Sequence, residues 1–189
     1  MDALDLLTAD HNRVRGLFTR FQAAEGSNDA EAARLAATIF AELEVHTRIE
    51  EELFYPAVAK GSEEIHELVT EGIEEHHVVD QLMAEARQLD PSDEAWAAKV
   101  KVLIENVEHH ADEEEQELFP LVRKAFDADA RAQLGQRLEA RKAEMGAPTA
   151  ADKEHLTTEE LNRLAREQQI PGRSSMKRDE LLATIAPES

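Results

Sequence analysis

A chain of 189 residues, 42% of them hydrophobic, is long enough to bury one sizeable core and a small appendage. With 41 acidic residues against 21 basic ones and a formal charge of −20, the surface as a whole is unsuited to broad binding of duplex nucleic acid or anionic membrane. Cysteine is absent, which removes disulfides, thiolate metal sites and cysteine nucleophiles together and leaves nitrogen and oxygen as ligand atoms for any metal. There is no apolar run long enough to span a bilayer, and MDALDLLTADH has no basic region ahead of an apolar stretch, so the expectation is a soluble, cytoplasmic protein.

Up to residue 145 glycine and proline are few and apolar residues recur at three and four, the spacing of amphipathic helices. The first helix is predicted over residues 2–24, closed by EGSND, and the second over 29–60, closed by Gly61 and Ser62. A third follows over 63–89, and DPSD at 90–93 starts a fourth that runs to about 126. Four long helices with short loops must be antiparallel neighbours, so the predicted fold is all-α, an up-down four-helix bundle. A fifth helical segment, 129–144, has a weaker apolar stripe of Leu134, Leu138 and Met145 and is expected to pack on the outside. The bundle is assigned to 1–145 and a linker with breakers Gly146 and Pro148 to 146–152. Residues 153–189 form a small helix-extension-helix module around the turn IPGRSS.

The bundle sequence carries a diluted internal repeat. DHNRVRGLF at Asp10 corresponds to EHHVVDQLM at Glu75, and HTRIEEELFYP at His46 to HADEEEQELFP at His110, with offsets of 65 and 64 residues. Four of the eight histidines fall on apolar faces at these matching places. His11 shares its face with Leu4, Leu7, Val14 and Phe18, and His46 with Ile39, Leu43, Ile49 and Leu53. His76 shares its face with Val69, Ile73, Val79 and Met83, and His110 with Leu103, Val107, Leu118 and Leu121. The doublet neighbours His77 and His109 are turned about 100° away toward polar positions, although a small rotation of either helix would exchange the choice within a doublet. His66 and His155 have no matching partner and read as incidental. Counted from the loops at about 1.5 Å per residue, the four inward imidazoles reach one level of the bundle.

Glu50 and Glu114 each stand four residues after an inward histidine, hence on the same face. A core carboxylate costs several kcal/mol unless paired or bound to a cation, and no Lys or Arg falls on these inner faces. A bound cation resolves this, with Glu51 and Glu52 left to water or the rim. Six nitrogen and oxygen donors exceed the usual set of one ion and suit a pair bridged by the two carboxylates, with iron, manganese or zinc as candidates. Pro56 and Pro120 are expected to kink their helices just past this level. A ferritin-like arrangement needs Glu-x-x-His on two helices, whereas Glu63-x-x-His66 and Glu74-x-x-His77 share one.

His11, His46-x3-Glu50, His76 and His110-x3-Glu114, with the endings LFYP and ELFP, resemble the hemerythrin-like proteins with an HHE cation-binding domain. The resemblance covers roughly residues 1–126. It implies a non-heme diiron centre, two iron ions with an oxo or hydroxo bridge, and binding, sensing or processing of dioxygen, nitric oxide or peroxide. Oxygen-carrying members use a fifth histidine in a His-x3-His pair, where this chain has Gly72 before His76 and Asp80 after it. That departure favours redox reaction or sensing over oxygen carriage, with Tyr55 and Asp80 as groups that could tune the site. The tail is similar to Rho N-terminal-like and SAP-like modules, some of which bind nucleic acid. Arg173, Lys177 and Arg178 offer a weak basic patch there, among six bases and eight acids over 151–189. Two rival readings follow: an iron- or oxygen-responsive regulator acting through the tail on nucleic acid or a protein partner, and a structural bundle holding zinc.

Overall fold

The computed structural model describes residues 1–146 and ten further positions between 161 and 184. Five long helices account for the first part: α1 (Ala3–Ala24), α2 (Asp29–Ile49), α3 (Glu63–Ala86), α4 (Glu94–Glu113) and α5 (Ala128–Glu144). No strand occurs among the described residues. Side chains close four helix starts, because the first backbone N–H groups of a helix have no intrahelical partner. Asp2 accepts from Leu4 N, Asn28 from Glu31 N, Ser62 from Ile65 N and Asp127 from Ala130 N. The up-down bundle expected from the loop lengths is the architecture found, with α1 against α2 and α3 against α4.

α2 and α4 continue past their α-helical parts through one π-helical turn each, Glu50–Phe54 and Glu114–Leu118, into short helices Tyr55–Val58 and Phe119–Ala125. The prolines explain the position. Pro56 and Pro120 have no N–H to donate, and the preceding backbone widens so that Tyr55 N bonds Glu50 O and Phe119 N bonds Glu114 O. The expected local disturbance thus takes the form of a change in helical winding that begins at the inward glutamate itself.

Two apolar cores fill the bundle. One joins Leu17, Phe18, Phe21, Leu35, Ile39, Leu43, Met83, Trp96 and Leu103 near the α1–α2 and α3–α4 turns. The other joins Leu4, Leu7, Ile49, Phe54, Tyr55, Val58, Val69, Phe119 and Val122 at the opposite end. Neither core includes a histidine or glutamate, and between them lies the layer of buried His11, His46, Glu50, His76, His110 and Glu114.

The fifth helix is more than an outer cover. Leu134 and Leu138 are buried in the second core, and Lys142 is buried as well. α5 reaches this depth because Gly135 passes the chain start closely: a Cβ there would lie 2.2 Å from Met1 O and 2.9 Å from Ala3 N. Among the described tail positions, Leu161, Ala165, Ile170 and Leu181 are buried together with Met176 against them, a small apolar cluster of their own. Lys177 is exposed and Arg173 half-buried, while Arg178, His155 and linker residues 147–152 lie outside the described residues.

Gly135→Ala should therefore lower stability by about 1–3 kcal/mol in chemical unfolding, the usual range for forced overpacking. A loss below about 0.5 kcal/mol would mean that α5 can slide off α1 at no cost.

Candidate metal centre

The structure brings the six singled-out residues into one layer. His11 and His46 meet through their Nε2 atoms at 3.1 Å, and His76 and His110 do the same at 3.1 Å. Two nitrogens held at right angles about 2.1 Å from one ion would stand roughly 3.0 Å apart, so each pair has the separation of neighbouring ligands. Glu50 Oε2 lies 3.3 Å from His46 Nε2 and 3.4 Å from His76 Nε2. Glu114 Oε2 lies 3.4 Å from His11 Nε2 and 3.9 Å from His110 Nε2. Each carboxylate thus faces one histidine of each pair. Within the doublets His76 and His110 are buried, whereas His77 and His109 are exposed, as is His66.

Both oxygens of Glu50 and one of Glu114 are buried with no hydrogen-bond partner, and Glu50 is fully buried. Orphaned carboxylate oxygens in a bundle waist are the donors a cation would satisfy. Burial and the nearby Glu114 charge push Glu50 well above the usual carboxylate range. Burial acts the same way on Glu114, but His11, whose Nε2 faces it, and the surrounding imidazoles hold it below that range. Burial opposes protonation of His11, yet the facing Glu114 and the hydrogen bond to Glu115 raise it to about 9, while burial takes His46 down to about 4.

Around this layer stands a second set of carboxylates. Three of the four imidazoles put Nδ1 against one: His11 on Glu115 at 2.8 Å, His76 on Glu51 at 3.0 Å and His110 on Glu75 at 2.7 Å. A carboxylate only accepts, so the ring proton sits on Nδ1 and Nε2 is turned to the centre. The fourth, His46, faces Asp10 at the longer distance of 3.5 Å. Glu51 therefore corrects the expectation that it serves only the rim: its side chain is 41% exposed, but its oxygen reaches in to His76. Glu52 does stay at the surface, paired with Arg141 at 2.8 Å.

The repeat could have revealed this outer set. Asp10–His11 matches Glu75–His76, Glu50–Glu51 matches Glu114–Glu115, and each outer acid serves a histidine of another helix. Two cations lie near the layer without facing Glu50 or Glu114, namely Lys142 and Arg13. Both are buried, with Lys142 2.5 Å and Arg13 3.7 Å from Asp10, and Arg13 also pairs with Glu42. Burial would raise Asp10, but Lys142, His46 and Arg13 together outweigh it and hold Asp10 below the ordinary range. The unpartnered oxygens of Glu50 and Glu114 receive no such cation.

The internal symmetry breaks at Tyr55, whose counterpart in the repeat is Phe119. The Tyr55 hydroxyl donates to Glu114 Oε1 at 3.0 Å and stands 3.4 Å from His76 Nε2, whereas Phe119 stacks on His11 at 6.1 Å. Gly72 leaves the space for that phenol, since a Cβ there would lie 3.0 Å from its oxygen. Asp80, the other group considered for tuning, is exposed. On the opposite face of the histidine layer a small cavity is lined by Val14, Phe18, Leu43, Val79 and Val107, with Arg15 and Glu108 also at its wall.

Residues 2–122 match the hemerythrin HHE cation binding domain, and the chain belongs to that family. It is 33% identical over 145 residues to the uncharacterized protein Rv2633c of Mycobacterium tuberculosis, covering 75% of this chain and 85% of that one. A Nostoc protein named DNA nickase is 29% identical over 148 residues, 77% of this chain, which spans only 40% of the nickase's length. The crystal structure of an Rv2633c homolog from Mycobacterium kansasii shares the fold, with a TM-score of 0.66 at 22% identity over 97% of this chain and 99% of that one. No helix among the described residues is long and apolar enough to cross a membrane.

His76→Ala and His110→Ala should each lower metal uptake while His77→Ala and His109→Ala keep it, as read by metal analysis after equilibrium dialysis. The opposite pattern would place the ligands on the other member of each doublet.

Proposed function

We propose that this chain is a non-heme diiron protein that binds, senses or reacts with dioxygen, peroxide or nitric oxide. The observation that carries the reading is the pair of carboxylates, Glu50 and Glu114, each facing one histidine from both pairs. His11 and His46 would hold one ion, His76 and His110 the other, and the two glutamates would bridge them. Imidazole and carboxylate without sulfur suit iron, and a bridged iron pair supplies redox chemistry toward a small oxidant.

The chain's own groups narrow what can approach. Val14, Phe18, Leu43, Val79 and Val107 exclude bulk water from one face and favour a small uncharged molecule. Tyr55 holds a proton against Glu114 Oε1 on the side of the His76–His110 pair, where it can donate a hydrogen bond to an oxygen or shift to accept one. Glu51, Glu75 and Glu115 fix the imidazole orientations.

A second reading draws on the separate apolar cluster of the tail. In it the bundle responds to iron or an oxidant and the tail passes the response to a protein or nucleic acid. The nickase's name concerns a protein mostly beyond the span of this chain, and a charge of −20 works against general DNA affinity.

Metal analysis of protein purified without chelator, with the near-ultraviolet spectrum of the same sample, tests the first reading. About two irons per chain with an oxo-bridge band are expected. A colourless zinc protein, or a fully helical one without iron, would sink it. Peroxide turnover that persists after removal of residues 153–189 favours an enzyme, and a partner interaction lost on that removal favours the regulator.

A further inference from the structure

The two halves of the centre are matched in their ligands but not in what stands behind them. His110 is backed by Glu75 at 2.7 Å, and no lysine or arginine contact to Glu75 occurs among the described residues. Its counterpart His46 faces Asp10 at 3.5 Å, and His46 Nδ1 has no hydrogen-bond partner. The cause is visible on the other side of Asp10. Lys142 Nζ takes both of its oxygens at 2.5 Å, and Arg13 adds a second cation at 3.7 Å. Lys142 belongs to α5, beyond the residues matched to the family domain, so this contact comes from the part of the chain added to the four-helix bundle.

A carboxylate bonded to Nδ1–H raises the electron density that Nε2 offers a metal, and one engaged by a lysine gives less of it. His46 is thereby the least supported of the four imidazoles. The half it shares with His11 should hold a divalent ion less firmly than the half made by His76 and His110, both of which have short carboxylate bonds.

We infer that Lys142 is a positioning residue that makes the two cation sites unequal, by drawing Asp10 away from His46 and leaving the His11–His46 half as the weaker, first-exchanging site. The inference rests on the two-ion reading above. It also gives α5 a role beyond packing, because the helix sets the affinity of a site it does not enter.

The test is a titration of cobalt(II) into the chelator-treated full chain, followed by calorimetry and by the cobalt absorption bands. Two steps are expected, separated by about tenfold or more in affinity. Glu75→Gln should weaken the tighter step by about 10–100-fold, the usual effect of losing such a carboxylate, whereas Asp10→Asn should change the weaker step by less than about threefold. Lys142→Met should free Asp10 for His46 and draw the two steps together, and Lys142→Arg should keep them apart. The comparison of Glu75→Gln with Asp10→Asn stands even if Lys142→Met unfolds. Equal steps in the parent protein, or an Asp10→Asn loss as large as that of Glu75→Gln, would overturn the inequality alone. Uptake of a single ion would overturn the two-ion reading and this inference with it.

Discussion

Two carboxylates in the waist of an apolar bundle set the terms for everything around them. Glu50 and Glu114 lie between two hydrophobic cores, where a bare negative charge costs several kcal/mol. A protein can meet that cost with a buried lysine or arginine, with protons, or with a metal. Here the buried Lys142 and Arg13 pair with Asp10 and Glu42, and the imidazoles crowd Nε2-first around the glutamates. The helices, their π-turns and the outer ring of acids read as support for that one electrostatic demand.

Much of the layer was legible from the chain because burial and helical period act together. A histidine among Leu4, Leu7, Val14 and Phe18 has to point inward, and a glutamate one turn after such a histidine has to follow it. The choice between doublet members came from the same argument and agrees with the burial observed. The bundle topology followed from loop length.

The outer ring was less legible for a geometric reason. Glu51 sits about 100° around the helix from Glu50, so its Cα faces the rim, yet its side chain is long enough to lean across to α3 and reach His76. Sequence spacing describes a residue's own helix and says little about its neighbour's. Only the paired recurrence of Asp10–His11 with Glu75–His76, and of Glu50–Glu51 with Glu114–Glu115, carried the cross-helix information. Lys142 was harder still. It lies 132 residues from Asp10 in a helix with a weak stripe, and its burial depends on Gly135 letting α5 approach α1. The π-turns were half-visible, since the prolines announced a disturbance while the form it took depended on backbone hydrogen bonds.

The division of the interior into two cores has a thermodynamic meaning of its own. The same helices thread both cores, but the layer joining them is made of groups that repel or desolvate one another unless a cation draws them together. Any ion held there binds the folded layer and has no comparable site in the unfolded chain, so its affinity is added to stability by mass action. It also ties the fate of one core to that of the other. An ion at the waist would thus act as a coupling element, turning two neighbouring apolar units into one cooperative body, whatever chemistry it performs.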